Sequence, residues 1–283
     1  MDAGDPLKVA SGLSYQPHAP KWVVMTTYSS SSTRVLITGG SSGIGLGLAK
    51  RFVAGGATVM VTGRNAGHLD RVAAALPGLR AFAGDIGKPE DREALAAHVR
   101  EAMPDINVLI NNAGIQRRVS LADDDAPWPE RQAEIDILLS GPIHLNHLLV
   151  PNMLAGGRES LIVNVTSGGA YLPQPFAPIY SASKAALHSY TVNLRFALAG
   201  TNIHVKELIP PAVATGLAGP GATHGAPLDD FCDSVFPALT DSDADEVGYG
   251  MTATDAFDEA KALYRNMFEE FSSRFPVRTY ART

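Results

Sequence analysis

From Arg34 onward, short apolar runs alternate with amphipathic stretches. The runs RVLIT (34–38), TVMVT (58–62), LRAFA (79–83), NVLIN (107–111), LIVNVT (161–166) and IHVKEL (203–208) are rich in Val, Ile and Leu and predict strands. Between them, GLGLAKRFVA, DREALAAHVREA, a long stretch near 128–154 and another near 178–199 space their apolar residues as helices do. That alternation predicts βαβ units. The expected fold is α/β: one doubly wound Rossmann-type domain over 34–283, with a parallel sheet of six or seven strands and helices on both faces. After Pro210 the periodicity fades. PPAVATGLAGPGATHGAPLDD predicts a long loop, a length usually tied to function. A short helix near 228–239, a last strand at EVGYG and an amphipathic helix near 254–273 follow it.

The first 33 residues mix Gly, Pro and polar residues and close on the run Ser29 to Ser32, which predicts a disordered leader. Met25 directly precedes the polar run, and one hypothesis makes it the natural start with the preceding residues an extension. No apolar stretch is long enough for a signal peptide or a membrane span. The formal charge of −6, with no Lys/Arg-rich stretch, argues against nucleic acid or an anionic membrane as partner. Cys232 is the one cysteine, so no internal disulfide forms and a cytoplasmic location is expected. Its acidic surroundings give a thiolate no support. His144 and His147 stand at i, i+3 without acidic or cysteine company, so no metal site is expected.

The first strand runs directly into TGGSSGIGLGLAKRF. Gly39, Gly43 and Gly45 permit a tight turn and a close backbone approach. The backbone through Ser41, Ser42 and Ile44 then leads into a helix whose free N–H groups and positive dipole end face an anion. The second strand ends in VTGRN, where an acidic residue would accept from the 2′-hydroxyl of NAD. Here Gly63 is followed by Arg64, which suits a 2′-phosphate, so NADP is expected, with NAD less favoured. GDI offers Asp85 to an adenine amino group, and NNAG (111–114) places Asn112 and a glycine where the backbone lies close to a ribose.

The segment IYSASKAALHSY (179–190) adds Tyr180 and Lys184, one helical turn apart. Taken in order, TGGSSGIG, NNAG, VTSG and YSASK resemble the short-chain dehydrogenase/reductases over roughly 34–215. Within them NNAGIQ, SASKAALHS and PPAVATGL are most similar to the DltE-type oxidoreductases. The resemblance implies that Tyr180 is the general acid/base at a carbonyl or alcohol oxygen. By the same resemblance Ser167 hydrogen-bonds that oxygen, and Lys184 favours the phenolate and holds the nicotinamide ribose. Val213 and Thr215 would meet the nicotinamide carboxamide, although Pro211 stands where many members carry Gly. A small-molecule substrate and a homodimer or homotetramer, built on the helices near 128–154 and 178–199, are also implied.

One position departs from the family. An asparagine thought to hold a water beside the lysine is replaced by Leu138, whose side chain cannot do so. Pro142, four residues on, has no N–H and leaves the Leu138 carbonyl free to hold such a water. Loss of that asparagine also motivates a competing reading as a cofactor-binding regulatory or scaffold protein. A nucleotide-sugar enzyme of the extended type is disfavoured by the turn spacing T-G-x-x-x-G-x-G. The stretch 216–250 is read as a substrate loop or lid, with Leu217, Phe231 and Phe236 lining the ligand.

Overall fold

The computed structural model describes residues 28, 30–219, 224–275 and 277–281 of the 283. The strands are β1 (Arg34–Ile37), β2 (Thr58–Gly63), β3 (Leu79–Ala83), β4 (Val108–Asn111), β5 (Ser160–Val165), β6 (Ile203–Ile209) and β7 (Glu246–Gly248). They form one parallel sheet in the order β3-β2-β1-β4-β5-β6-β7. The order reverses between β1 and β4, and open α/β sheets bind ligands beyond the carboxyl ends of the strands at such a switch point. Parallel strands covered on both faces bury nearly every side chain, which is why the sequence reads as continuous apolar runs.

Period-two alternation sends successive strand residues into two cores. Val35, Ile37, Val59, Val61, Ile110 and Val163 face α1 (Gly43–Ala54), α2 (Ala66–Ala75) and α7 (Leu228–Thr240). Leu36, Met60, Leu109, Ile162 and Val205 face α3 (Pro89–Ala102), α5 (Gly141–Ala155) and α6 (Pro178–Leu198). Asn65 caps α2 through its side chain, which accepts from the His68 N–H at 2.9 Å. Pro89 opens α3, with Glu90 and Asp91 in its first turn, where the dipole favours negative charge. The last helix, α8 (Asp255–Ser273), follows β7.

The long helix expected over 128–154 is divided. α4 (Trp128–Ile135) passes into a widened turn, Asp136–Ser140, before α5 resumes, and the Gly141 N–H reaches back to the Asp136 carbonyl across five residues. Pro142 supplies the cause: without an N–H it cannot continue the regular ladder, and the wider turn absorbs the missing bond.

Two other expectations change. Tyr28 and Thr33, within the segment read as a leader, are buried; the Tyr28 hydroxyl donates to the Ser160 carbonyl at 3.3 Å, and the Thr33 N–H to that of Ser30 at 2.9 Å. Met25 and the rest of 1–27 lie outside the described residues. Phe231 is wholly buried, and Phe236 packs edge-on against Phe52 of α1 with ring centroids 4.9 Å apart. Both aromatics belong to the core beneath α7 and not to a ligand surface, because the apolar face of that helix turns toward the sheet. Leu217 remains exposed.

Candidate active site

The crevice at the switch point is built by two loops stapled together. Beyond β1, Gly39 has a φ of +64°, and a Cβ there would meet the Ala113 Cα at 2.8 Å. The Asn112 side chain donates to the Thr38 and Gly39 carbonyls at 2.9 and 3.2 Å, and the Thr38 hydroxyl accepts from the N–H groups of Asn112 and Ala113, both at 3.0 Å. Asn112 thus ties the loops beyond β1 and β4 together through its side chain. A Cβ on Gly45 would come within 2.5 Å of that amide and 2.6 Å of the Gly39 carbonyl oxygen.

At the start of α1, Ser42 makes no side-chain cap, and the first helical bond runs from the Leu46 N–H to the Ser42 carbonyl. No helical carbonyl reaches the amides of Gly43, Ile44 and Gly45. Unpaired amides at a helix N-terminus, beside Gly43 at a φ of +52° and Gly45 with no room for a Cβ, fit a pyrophosphate. Thr215 closes the same mouth: a Cβ on Gly43 would meet its Cγ2 at 3.4 Å. Val213 is buried and bridges to Ala226, which holds the loop in place.

Beside them, Ser41 abuts the end of β2, where a Cβ on Gly63 would lie 3.0 Å from its hydroxyl. The Ser41 carbonyl accepts from Nε2 of His68 at 2.9 Å. His68 was not singled out in the sequence; its position four residues past Arg64 on α2 was the available signal. Arg64 is exposed at the end of β2. Asp85 lies farther out, beyond β3, and its Oδ1 accepts from the Gly87 N–H at 3.0 Å.

The chemical end lies over β5 and α6. Ser167 follows β5, and its hydroxyl accepts from the Gly169 N–H at 3.0 Å. Tyr180 sits in the first turn of α6, buried with Leu138 and Ala177. Burial pushes the phenol above its ordinary value, its hydrogen bond with Ser167 draws it partly back, and the Glu134 carboxylate raises it again. Lys184 is buried one turn further on, with Nζ 5.8 Å from the Tyr180 ring centroid, and donates to the Val165 carbonyl at 2.6 Å. Burial lowers its ammonium to about 8, opposed by the charge of Glu207. The sequence led us to expect the ammonium to draw the phenol down; here burial raises the phenol, Ser167 is the group that opposes it, and the hydrogen bond of Lys184 goes to the Val165 carbonyl.

The loop after β4 is clamped by charge. Asp124 accepts from Arg117 at 2.6 and 3.0 Å and from Arg131 at 3.0 Å, and the Arg117 hydrogen bond holds its carboxyl at about 2. Glu134, buried, accepts from the Arg117 N–H at 3.1 Å. These partners are tertiary, and their spacing in sequence carries no signal. His144, weighed as a metal ligand, accepts instead from Arg92 Nε at 3.0 Å.

The sequence profile described as short chain dehydrogenase matches residues 33–224. The chain belongs to this family. It is 40% identical over 183 residues to the uncharacterised oxidoreductase DltE of Bacillus subtilis, covering 65% of this chain and 72% of that one. A short chain dehydrogenase from Burkholderia cenocepacia solved with NADP superposes with a TM-score of 0.70 at 27% identity, over 84% of this chain and 96% of its own. A 3-ketoacyl-(acyl-carrier-protein) reductase from Brucella melitensis solved with NADH gives 0.69 at 28%, over 76% and 96%. As a short-chain dehydrogenase/reductase the chain is an oxidoreductase. Among the described residues no helix is long and apolar enough to cross a membrane.

Proposed function

We propose that this enzyme interconverts a carbonyl and a secondary alcohol of a small molecule with NADP, using Tyr180 as general acid/base. The observation that carries the reading is the burial of Tyr180 and Lys184 one helical turn apart on α6, with Nζ 5.8 Å from the phenol ring centroid and Ser167 near enough to draw the phenol down. A bound nicotinamide supplies or takes the hydride. In reduction, Ser167 holds the carbonyl oxygen as charge develops on it, and Tyr180 gives up its hydroxyl proton to that oxygen. A buried phenol held in its neutral form is the acid this direction requires. Lys184 then serves the phenolate left behind, as a buried cation one turn away.

For the nucleotide, the unpaired amides of Gly43, Ile44 and Gly45 would take the pyrophosphate, with Gly39 and the backbone of Ser41 and Ser42 shaping the turn. Arg64 favours NADP: an exposed guanidinium stands at the end of β2, next to Ser41 and His68, where an NAD enzyme would present an acid. The relative solved with NADP supports this preference, and the one solved with NADH makes it a question for measurement. Asp85, Val213 and Thr215 keep the adenine and carboxamide roles that the resemblance implies. A cytoplasmic homodimer or homotetramer, with α5 and α6 at the interface and 216–250 as the substrate loop, completes the proposal.

The test is a fluorescence titration of the wild type and of Arg64→Ala with NADPH and NADH, followed by a panel of carbonyl compounds read at the reduced-nicotinamide absorbance. NADPH is expected to bind about tenfold tighter or more, a difference of ~1.4 kcal/mol, and Arg64→Ala to erase the gap. A preference of the wild type for NADH would reverse the cofactor assignment. Tight binding without oxidation against any carbonyl would reverse the assigned reaction.

A further inference from the structure

The β6 side chains beneath α6 begin as core, with Ile203 and Val205, and end on a carboxylate. Glu207 is wholly buried at a position whose period-two register calls for another apolar residue. A carboxylate out of water persists only with partners. Thr166 donates to Oε1 at 2.6 Å, Nδ1 of His188 donates to Oε2 at 2.8 Å, and the Tyr171 hydroxyl reaches Oε2 at 3.5 Å. These three partners bring no permanent cation.

Lys184 is a cation on which the charge of this carboxylate acts. Its ammonium grips the carbonyl of Val165, the residue before Thr166, and it stands one helical turn before His188 on α6. Tyr180, Lys184 and His188 thus follow at intervals of four along one face. On the other flank of Tyr180 lies Leu138, which offers no polar group.

We propose that Glu207 is the counter-charge of Lys184, and that His188 shares this carboxylate and so tunes how firmly the lysine is held. Both are positioning residues that act through Lys184. The inference rests on Lys184 serving the phenol of Tyr180. His188 is placed to respond to solution: with Tyr171 and Tyr264 it lines a groove of about 1270 Å³ between α6 and α8, and its side chain is 10% exposed. Its Nδ1 donates a hydrogen to Glu207, so the carboxylate is shared between the imidazole and Lys184. The other groups around the pair are Tyr171, Tyr264 of α8 edge-on to the imidazole at 5.7 Å, and Arg195 and Glu246, whose charges reach Tyr171.

The test reads Lys184 directly, through the pH titration of its 13Cε resonance in the full chain without substrate, assigned by its loss in Lys184→Arg. Glu207→Gln keeps the shape and is expected to lower the midpoint by roughly one pH unit or more, as removal of a nearby opposite charge does. Glu207→Asp should restore part of the shift. His188→Asn should move the midpoint upward, because the carboxylate then answers to Lys184 with less competition. A folded Glu207→Gln protein that titrates Lys184 at the wild-type pH overturns the proposal. Should Glu207→Gln not fold, His188→Asn decides, and an unchanged midpoint there overturns it equally. A wild type inactive on every carbonyl would sink the catalytic reading and leave this titration standing, so the two failures are distinguishable.

Discussion

Leu138 closes on Tyr180: with Ala177 the two side chains form a buried cluster separate from the main cores on either face of the sheet. The phenol is therefore desolvated by the residue that stands where the family carries an amide. Leu138→Asn should reverse this. An amide buried among these neighbours and left unpaired costs about 1–3 kcal/mol, so the melting temperature should fall. The phenol, relieved of part of its burial, should titrate lower. The check is the pH profile of alcohol oxidation, whose rising limb, set by ionisation of the Tyr180 base, is expected to move toward neutral pH beside an ultraviolet titration of the tyrosines.

Pro142 makes a separate prediction, because the widened turn at Asp136–Ser140 lies directly before it. Pro142→Ala returns an N–H that can bond the Leu138 carbonyl and let the helix close to its regular ladder. If that carbonyl holds a water that serves Lys184, the substitution should lower turnover and shift its pH dependence even as it stabilises the helix. Unchanged turnover and an unchanged profile would show that the carbonyl has no such role.

The glycine loop predicts a loss of affinity through sterics alone. A Cβ at Gly45 collides with the Asn112 amide at 2.5 Å and the Gly39 carbonyl at 2.6 Å, the two groups that staple the loops beyond β1 and β4. Neither neighbour is the loose end of a flexible chain. Gly45→Ala should therefore weaken nicotinamide nucleotide binding about tenfold or more, ~1.4 kcal/mol, in the fluorescence titration, and lower the melting temperature with it.

Much of this architecture is legible in the chain because the central strands β1, β4 and β5 lie buried on both faces and read as largely apolar runs. The nucleotide turn is legible for another reason: glycines are required where backbones meet, and Gly39 and Gly45 each face a backbone or amide closer than a Cβ allows. The break at Asp136–Ser140 was half visible, since Pro142 announces a missing bond but not the wider turn that absorbs it. Phe231 and Phe236 misled because a helix within a functional-looking loop can still turn its apolar face to the core. Glu207 was missed for the opposite reason: one charge inside IHVKEL is averaged away by its apolar neighbours, and its partners Thr166, Tyr171 and His188 come from other elements. Lys184 illustrates the limit of spacing, which put it one turn from Tyr180 but could not show that the Val165 carbonyl takes its hydrogen bond.

Cys232 offers a probe of opening. Its thiol is buried against α1, where a Cβ on Gly47 would lie 2.6 Å from its sulfur, and burial pushes it up to about 11. The native protein should resist a thiol reagent at pH 8, and labelling should track unfolding in denaturant. Rapid labelling of the folded protein would show that α7 detaches from α1 on its own.

The last prediction concerns stability and pH. Lys184 titrates near 10.5 when unfolded and is lowered to about 8 in the fold, by burial above all. Between those values the unfolded chain binds more protons than the native one, so the contribution of Lys184 to stability rises with pH across that window. Below about 8 both states are charged and the native state carries the full penalty, on the order of 3 kcal/mol. Cys232 and the buried Tyr171 and Tyr180 are raised by the fold, so their contributions fall with pH above their unfolded values and oppose the trend. The difference between wild type and Lys184→Met cancels those common terms. Denaturant unfolding at pH 8 and pH 10 should show the wild type gaining on the variant as pH rises. A difference that stays constant would mean that the ammonium is solvated and that burial does not govern its charge.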